Sequence, residues 1–470
     1  MGESVETIST VSIAALINAR PMPVYIGMGP LSLVVFALGA TFALVSGFAA
    51  AGKRRSGDAF GSATWDDGRA LRGKDGLIVG RTRWRFLRYA GRGHIVTVAP
   101  TRSGKGVGAV IPNLLLYPGS IVVTDPKGEN YAVTAARRRA LGQRVLAYDP
   151  FGVIATADDL ASYNPLDHVR GVDDARVIAD MIIIPDGRHE PFWEEEARAV
   201  LVGLILYAIT QPGPSLPLVR SYLTLPATAF RGLLGKMAGH AHTLVRRAAA
   251  QIGQKGPRER AAVLSTAQSH THFLDSPAMI QALGETRLPG QGPETTTYLI
   301  LPPERIDGYR RWLRLMIGSI LNTITRQRRH RRVLFLLDEF AHLGRMRPVE
   351  QGISLVGAYG VGFWLLIQDL AQLRAIYGES ASTFLANAEV LQAFGINDYE
   401  TAEHLSRLAG EMTVEQRARR LITADEVRRL AGDLELLFVR GQAPIAARRV
   451  SYLRDREFRG LAEPNPLAVD

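Results

Sequence analysis

The chain has 470 residues, enough for two or three domains, and 47% apolar against 21% charged residues excludes a largely disordered protein. Lysine and arginine number 56 against 45 acidic residues, and the net charge of +11 favours anionic partners such as nucleic acid or anionic lipid. There is no cysteine, which excludes disulfides, thiolate-held zinc, iron–sulfur clusters and thiol catalysis, so any metal must rest on oxygen or imidazole.

Between Arg20 and Lys53 there is no charged residue. A membrane-spanning helix needs about 20 apolar residues. The best stretch, 31–51, follows Pro30 and ends at Lys53-Arg54-Arg55. The basic flank predicts an N-terminal transmembrane helix with everything after residue 52 in the cytoplasm. A second apolar stretch at 8–19 is too short to span unaided and would lie in the interface or pair with the main helix as a strained hairpin. The triplet 53–55 suits contact with anionic membrane lipid.

From about residue 76 short β-branched runs alternate with helical ones. Strands are predicted at 94–98, 121–124, 145–148, 297–301, 333–337, 362–367 and 390–394. Fully apolar strands separated by helices predict a parallel sheet covered on both faces. Between 172 and 285 strand signals vanish and helical runs appear at 177–184, 193–209, 227–238, 246–252 and 258–274. The expected organisation is an anchor at 1–55 and a nucleotide-binding domain at 56–171. An all-α insertion at 172–285, the second part of the nucleotide-binding domain at 286–460 and a tail at 461–470 complete it.

The strand at 94–98 runs into Ala99-Pro-Thr101-Arg102-Ser103-Gly104-Lys105-Gly106 and then a helix from Val107. A strand, a glycine-bearing turn with Gly-Lys and a helix form a phosphate-binding arrangement. Backbone N–H groups of residues 101–107 face the anion, and Lys105 brings charge to the outer phosphates. Two departures stand out: the opening glycine is Ala99, and Gly106 replaces the hydroxyl residue that usually meets magnesium. The strand at 333–337 ends in Asp338-Glu339. In nucleotide hydrolases of this type the first carboxylate holds magnesium and the second polarises the attacking water. The next strand ends in Gln368, placed to contact the terminal phosphate or its water. Together these residues predict an ATP site using Mg2+, with Lys105, Asp338, Glu339 and Gln368 as its catalytic groups and Asp338 as the metal ligand.

Seven stretches then carry a family resemblance: APTRSGKGVGAVIPNLL (99–115), VVTDPKGENY (122–131), PFWEEEAR (191–198), YLILPPERI (298–306), FLLDEFAHLG (335–344), IQDLAQL (367–373) and FGINDYETA (394–402). The chain resembles the type IV secretion system coupling proteins, the TraG/TraD-like conjugative DNA-transfer ATPases, over roughly residues 60–455. The resemblance implies an α/β fold: a RecA-like P-loop motor domain carrying an all-α insertion domain. It also implies a homohexamer at the bacterial inner membrane with its motor in the cytoplasm. That hexamer would hydrolyse ATP and deliver relaxase-bound single-stranded DNA, or protein substrates, to the channel components of the secretion system. One branch of the family also carries glycine after the loop lysine. Many relatives have two clear membrane helices, whereas in this sequence only one is clear. Some relatives carry an arginine in the helix after the acidic pair; here 348–373 contains none, leaving Arg345, Arg347, Arg374 or a more distant residue to reach a neighbouring subunit.

Two other functions stay open on sequence alone. One is an FtsK-like translocase of double-stranded DNA, which usually adds several spans and a small DNA-reading domain. The other is a docking platform that binds ATP without hydrolysing it, a reading that Gly106 sustains. Basic clusters at 81–92, 137–139, 310–314, 326–332 and 417–459 are candidates for DNA contact or for solvated helix faces. His270 and His272 lack other ligands nearby in sequence and read as solvated. The turn Asp125-Pro126-Lys127-Gly128-Glu129 reads as a coupling element or a tight structural turn. Trp193 reads as core packing.

Overall fold

The computed structural model describes residues 61–184, 191–326 and 332–467. The expected span at 31–51 and the basic triplet 53–55 lie outside them. Among the described residues no helix is long and apolar enough to cross a membrane.

In chain order the strands are β1 (Leu77–Arg81), β2 (Phe86–Tyr89), β3 (His94–Val98), β4 (Ser120–Asp125), β5 (Arg144–Tyr148), β6 (Thr295–Ile300) and β7 (Val333–Leu337). There follow β8 (Val361–Ile367), β9 (Ala388–Ala393), β10 (Glu411–Val414), β11 (Arg417–Arg420), β12 (Leu434–Val439) and β13 (Ile445–Arg448). Eleven of them form one sheet in the order β2-β1-β13-β12-β9-β3-β8-β7-β4-β6-β5. The stretch from β9 to β5 is parallel throughout.

The expectation of a parallel sheet needs correction at one end. There β12, β13, β1 and β2 continue the sheet antiparallel. Arg81, Arg88, Glu435 and Arg448 interrupt their apolar runs, so these strands do not read as buried β segments. β10 and β11 pair as a separate hairpin.

The strands at the parallel centre are buried on both faces because their side chains alternate into two cores. Val96 and Val98 of β3 join one core; Ile95 joins the other, with Val110 and Leu114 of the helix that follows the loop. From Val172 to Gly284 the described residues form helices and no strand. Their apolar sides merge with the first core through residues such as Ile182, Leu201, Leu204 and Phe273. Two short helices there, Leu216–Leu223 and Pro277–Gly284, escape the sequence reading. Each opens with a proline in its first turn, where the missing N–H costs nothing.

Several arginines that look solvated in sequence hold the fold instead. Arg138 is fully buried, donating to the carbonyls of Leu114 and Gly119 and to Thr296 Oγ1. Arg314 is also buried and donates to the carbonyls of Met181, Leu343 and Arg345. A guanidinium carries five donors in a fixed plane, so carbonyls at loop ends can satisfy it without a carboxylate. His270 departs from the solvated expectation too: it is buried, with Nδ1 2.9 Å from Arg311. Trp193 is half-buried against the first core.

Candidate functional site

β3 delivers the chain to the carboxyl edge of the sheet at its centre, between β8 and β9. Open α/β sheets bind ligands at this edge. Ala99 N–H bonds to Ile367 O (2.9 Å), tying the loop's first residue to β8. The loop then closes on itself, Ser103 N–H donating to Pro100 O at 3.2 Å. Gly104 sits at φ +83, in the left-handed region that a side chain disfavours. A Cβ there would also lie 2.8 Å from Arg449 Nη2.

The helix that follows opens with a wide turn, Gly106–Val110, and continues as Ile111–Leu116. Among the described residues, no backbone carbonyl accepts from the N–H groups of Gly104, Lys105, Gly106 or Val107. These are the orphan donors of a helix start, the groups such a loop offers to an anion. Thr101 and Arg102 are exposed at the rim. At Gly106 a Cβ would meet nothing within 4 Å, so no steric reason forbids a hydroxyl residue there.

β7 and β8 bring the remaining predicted groups to the same place. Lys105 is 7% exposed, and its Nζ lies 2.9 Å from Glu339 Oε1 and 3.7 Å from Asp338 Oδ1. Gln368 Nε2 donates to Glu339 Oε2 at 2.9 Å. His342, unnoticed in sequence, stands 3.3 Å from the same oxygen. Glu339 itself adopts φ +51, a strained conformation for a non-glycine residue at a polar edge. Thr124 Oγ1 donates to Asp338 O at 3.0 Å, fixing the turn against β4.

The two carboxylates differ in environment. Burial raises the Asp338 carboxyl above its ordinary range, and the nearby Lys105 offsets this only in part. Burial alone would raise Glu339 as well, but its bonds to Lys105 and Gln368 outweigh that and hold it below the ordinary range. A buried carboxylate whose neighbouring cation does not fully compensate it suits a metal cation.

The turn after β4 is tied to the helix that follows it. Asp125 is buried and accepts from the N–H groups of Asn130 (3.3 Å) and Tyr131 (2.8 Å), capping the helix Glu129–Ala140. Burial pushes its carboxyl up to about 7.

Sequence reasoning missed Arg449, which it counted only within a basic cluster. Arg449 follows β13 and donates from Nη2 to Ser103 O at 2.5 Å and from Nη1 to Gly432 O at 3.0 Å. Its guanidinium lies over the Phe394 ring at 4.1 Å. No local pattern marks it, because the loop it holds lies 346 residues earlier. Two of the arginines considered for a neighbouring subunit are engaged at home. Arg345 pairs with Glu350 at 2.8 Å, and Arg374 pairs with Glu400.

The profile of a family described as type IV secretory system conjugative DNA transfer matches residues 47–468. The chain is 30% identical to conjugal transfer protein TraG of Escherichia coli over 458 residues, covering 82% of this chain and 71% of TraG. Among solved structures it is similar to the bacterial conjugative coupling protein TrwBΔN70 in complex with sulphate. That likeness has a TM-score of 0.67 and 16% identity, over 84% of this chain and 95% of the other. The plasmid coupling protein TrwB in complex with ADP and Mg2+ is similar with a TM-score of 0.64 and 17% identity, over 83% and 96%. At such identity the structural likeness speaks for the fold.

Proposed function

The chain belongs to the type IV secretory conjugative DNA transfer family, and from that premise we propose that it is the coupling ATPase of a conjugation system. It would recruit relaxase-bound single-stranded DNA, or protein substrates, and pass them to the secretion channel at the cost of ATP. The observation that carries the ATPase reading is the meeting of Lys105, Asp338, Glu339 and Gln368 at one sheet edge, beside four unbonded helix-start N–H groups.

The geometry supports a defined division of labour. The N–H groups of residues 104–107 and the Lys105 ammonium would bind the β- and γ-phosphates. Asp338 would hold the magnesium ion, which supplies charge neutralisation on the phosphate oxygens. Glu339 would take the proton of the attacking water as its oxygen bonds to the γ-phosphorus and ADP leaves. Gln368 fixes the orientation of the Glu339 carboxylate through Oε2. Arg449 keeps the loop in its binding shape from the far side.

We read residues 1–55 as the membrane anchor, 172–285 as the all-α insertion and the working unit as a homohexamer at the inner membrane. The charge-free stretch 21–52 and its basic flank support the anchor. Gly106 favours the second reading, a platform that binds ATP without turnover. Steady-state ATPase assays of the full chain, with and without single-stranded DNA, separate the two. DNA-stimulated turnover is the expected result; nucleotide binding without turnover would establish the platform. In mating assays, Lys105→Ala should abolish transfer in a variant whose folding and accumulation are verified alongside, since the change also leaves Asp338 and Glu339 without their cation. Normal transfer by that variant would overturn the ATPase assignment.

A further inference from the structure

Gly61 and the residues that follow it lie beside two hairpins, and the strand directions orient one of them. β9 runs parallel to β3, β12 antiparallel to β9, β13 antiparallel to β12 and β1 antiparallel to β13. β1 therefore runs against β3, and its turn into β2 opens away from the nucleotide edge. Asp66 N–H donates to Pro444 O (2.9 Å), so the chain passes the amino end of β13 beside the β1–β2 turn.

Two hairpins flank this entry point. Gly61 and Ala63 pair with β10: Thr413 N–H donates to Gly61 O at 3.0 Å and Ala63 N–H to Glu411 O at 2.9 Å. The partner strand β11 presents Arg417 and Arg419 to solvent. On the other side, the β1–β2 turn carries Arg83-Trp84-Arg85. Thr82 makes the turn rigid by donating its N–H to Arg85 O (2.8 Å) and accepting from Arg85 N–H at Oγ1 (3.1 Å). Trp84 is 67% exposed, with the Arg83 guanidinium 4.9 Å from its ring. A cleft of about 310 Å³ separates this tip from the entering chain, lined by Trp65, Thr82, Trp84, Leu87 and Ile445.

We propose that this face rests on an anionic lipid surface, with the Arg83-Trp84-Arg85 tip inserted at headgroup level and the β10–β11 hairpin beside it. The proposal rests on the reading of 31–51 as a membrane span. Residue 61 is nine residues past the charge-free stretch, and nine residues reach at most about 30 Å, so residue 61 would lie within that distance of the bilayer. An indole is at home at a membrane interface, where its ring meets acyl chains and its N–H stays wet. Flanking guanidinium groups pair with lipid phosphates. Single-stranded nucleic acid also suits arginine and tryptophan, but tracking a strand takes successive aromatic platforms and this tip offers one.

The absence of cysteine makes the test clean. The full chain carrying Arg85→Cys, labelled with a bimane fluorophore, is reconstituted in phosphatidylcholine vesicles with and without phosphatidylglycerol, both containing a headgroup-quenching lipid. The control is Ser221→Cys, exposed on the helical segment. The expected result is strong quenching at 85, deepened by phosphatidylglycerol and reduced by salt, with little at 221. Equal quenching at the two positions overturns the proposal. So does a label at 85 that responds to a single-stranded oligonucleotide and not to lipid.

Flotation with phosphatidylcholine alone reports the span separately. If the chain does not float there, the span reading fails while the hairpin remains testable. The unanchored chain should then bind phosphatidylglycerol vesicles, and Arg83→Glu with Arg85→Glu should weaken that binding by about tenfold or more. Unchanged binding by that double variant would refute the hairpin contact.

Discussion

Lys105 and Glu339, 234 positions apart, form an ion pair of 2.9 Å that joins the phosphate loop to the turn after β7. The pair holds both groups in place while no phosphate competes for the ammonium. In the proposed ATPase, phosphate would compete with Glu339 for Lys105, so nucleotide binding would free the Glu339 carboxylate for water.

Glu339→Gln follows directly. The amide keeps the size and much of the hydrogen bonding to Gln368 but cannot take a proton or hold Lys105. Hydrolysis should fall on the order of 100-fold or more. ATP affinity should be kept or rise, because the ammonium is released from Glu339 and held only by the more distant Asp338. Fluorescent-nucleotide titration and single-turnover hydrolysis measure the two effects, and turnover at the parental rate would show the acidic pair to be structural.

Arg449→Ala should weaken nucleotide binding by about tenfold, roughly 1.4 kcal/mol, by removing the bond to Ser103 O that shapes the loop. Arg449→Lys should not restore it. A lysine cannot lie flat on Phe394 and reach the Ser103 and Gly432 carbonyls together. Titration beside a thermal melt distinguishes loop shaping from general loosening: parental affinity in a destabilised variant would limit Arg449 to the fold.

Gly106→Ser should fold at least as well as the parent, since the new Cβ meets open space and serine costs less than glycine within a helix, by up to about 0.5 kcal/mol. The added hydroxyl stands where a magnesium ligand usually does. Half-saturating Mg2+ for nucleotide binding should therefore fall. A raised requirement would mean that the wide helix start has moved that position away from the metal.

His94 gives a pH dependence with a definite sign. It is buried, stacks on Phe363 and accepts Phe363 N–H at Nδ1 (3.0 Å), a bond that requires the neutral ring. Burial lowers its pKa from 6.5 to about 4. Between those values the unfolded chain binds more protons than the folded one. Stability from this group is present above pH 6.5 and is lost as pH falls toward 4, by up to roughly 3 kcal/mol. His94→Gln keeps an acceptor and does not titrate, so its stability deficit should shrink from pH 7 to pH 5. Denaturant melts at several pH values test this; parallel curves for parent and variant would contradict it.

Much of the site was legible in sequence because its chemistry sits at the ends of strands. β3, β7 and β8 are largely apolar runs, and each stops at the polar residues of the candidate site: the phosphate loop, Asp338-Glu339 and Gln368. A parallel sheet aligns such strand ends at one edge, so three separate endings imply one site. The helical character of 172–284 was legible for the same kind of reason, since strand-like runs are missing there.

The rest needed the tertiary structure. β1, β2, β12 and β13 carry charges whose burial or pairing is decided only by their neighbours, as with Glu435. Its carboxylate accepts from Gln392 Nε2 at 2.7 Å inside the sheet, and burial raises its pKa to about 8. Arg138, Arg314 and Arg449 look alike in sequence, yet each is bound by backbone carbonyls brought from remote segments. Hydrophobic runs and short motifs are local properties, and they determined the strands of the parallel centre, the loop and the acidic edge. Where a cation finds its acceptors depends on how distant segments pack, and only the folded chain decided that Arg449 would meet the phosphate loop.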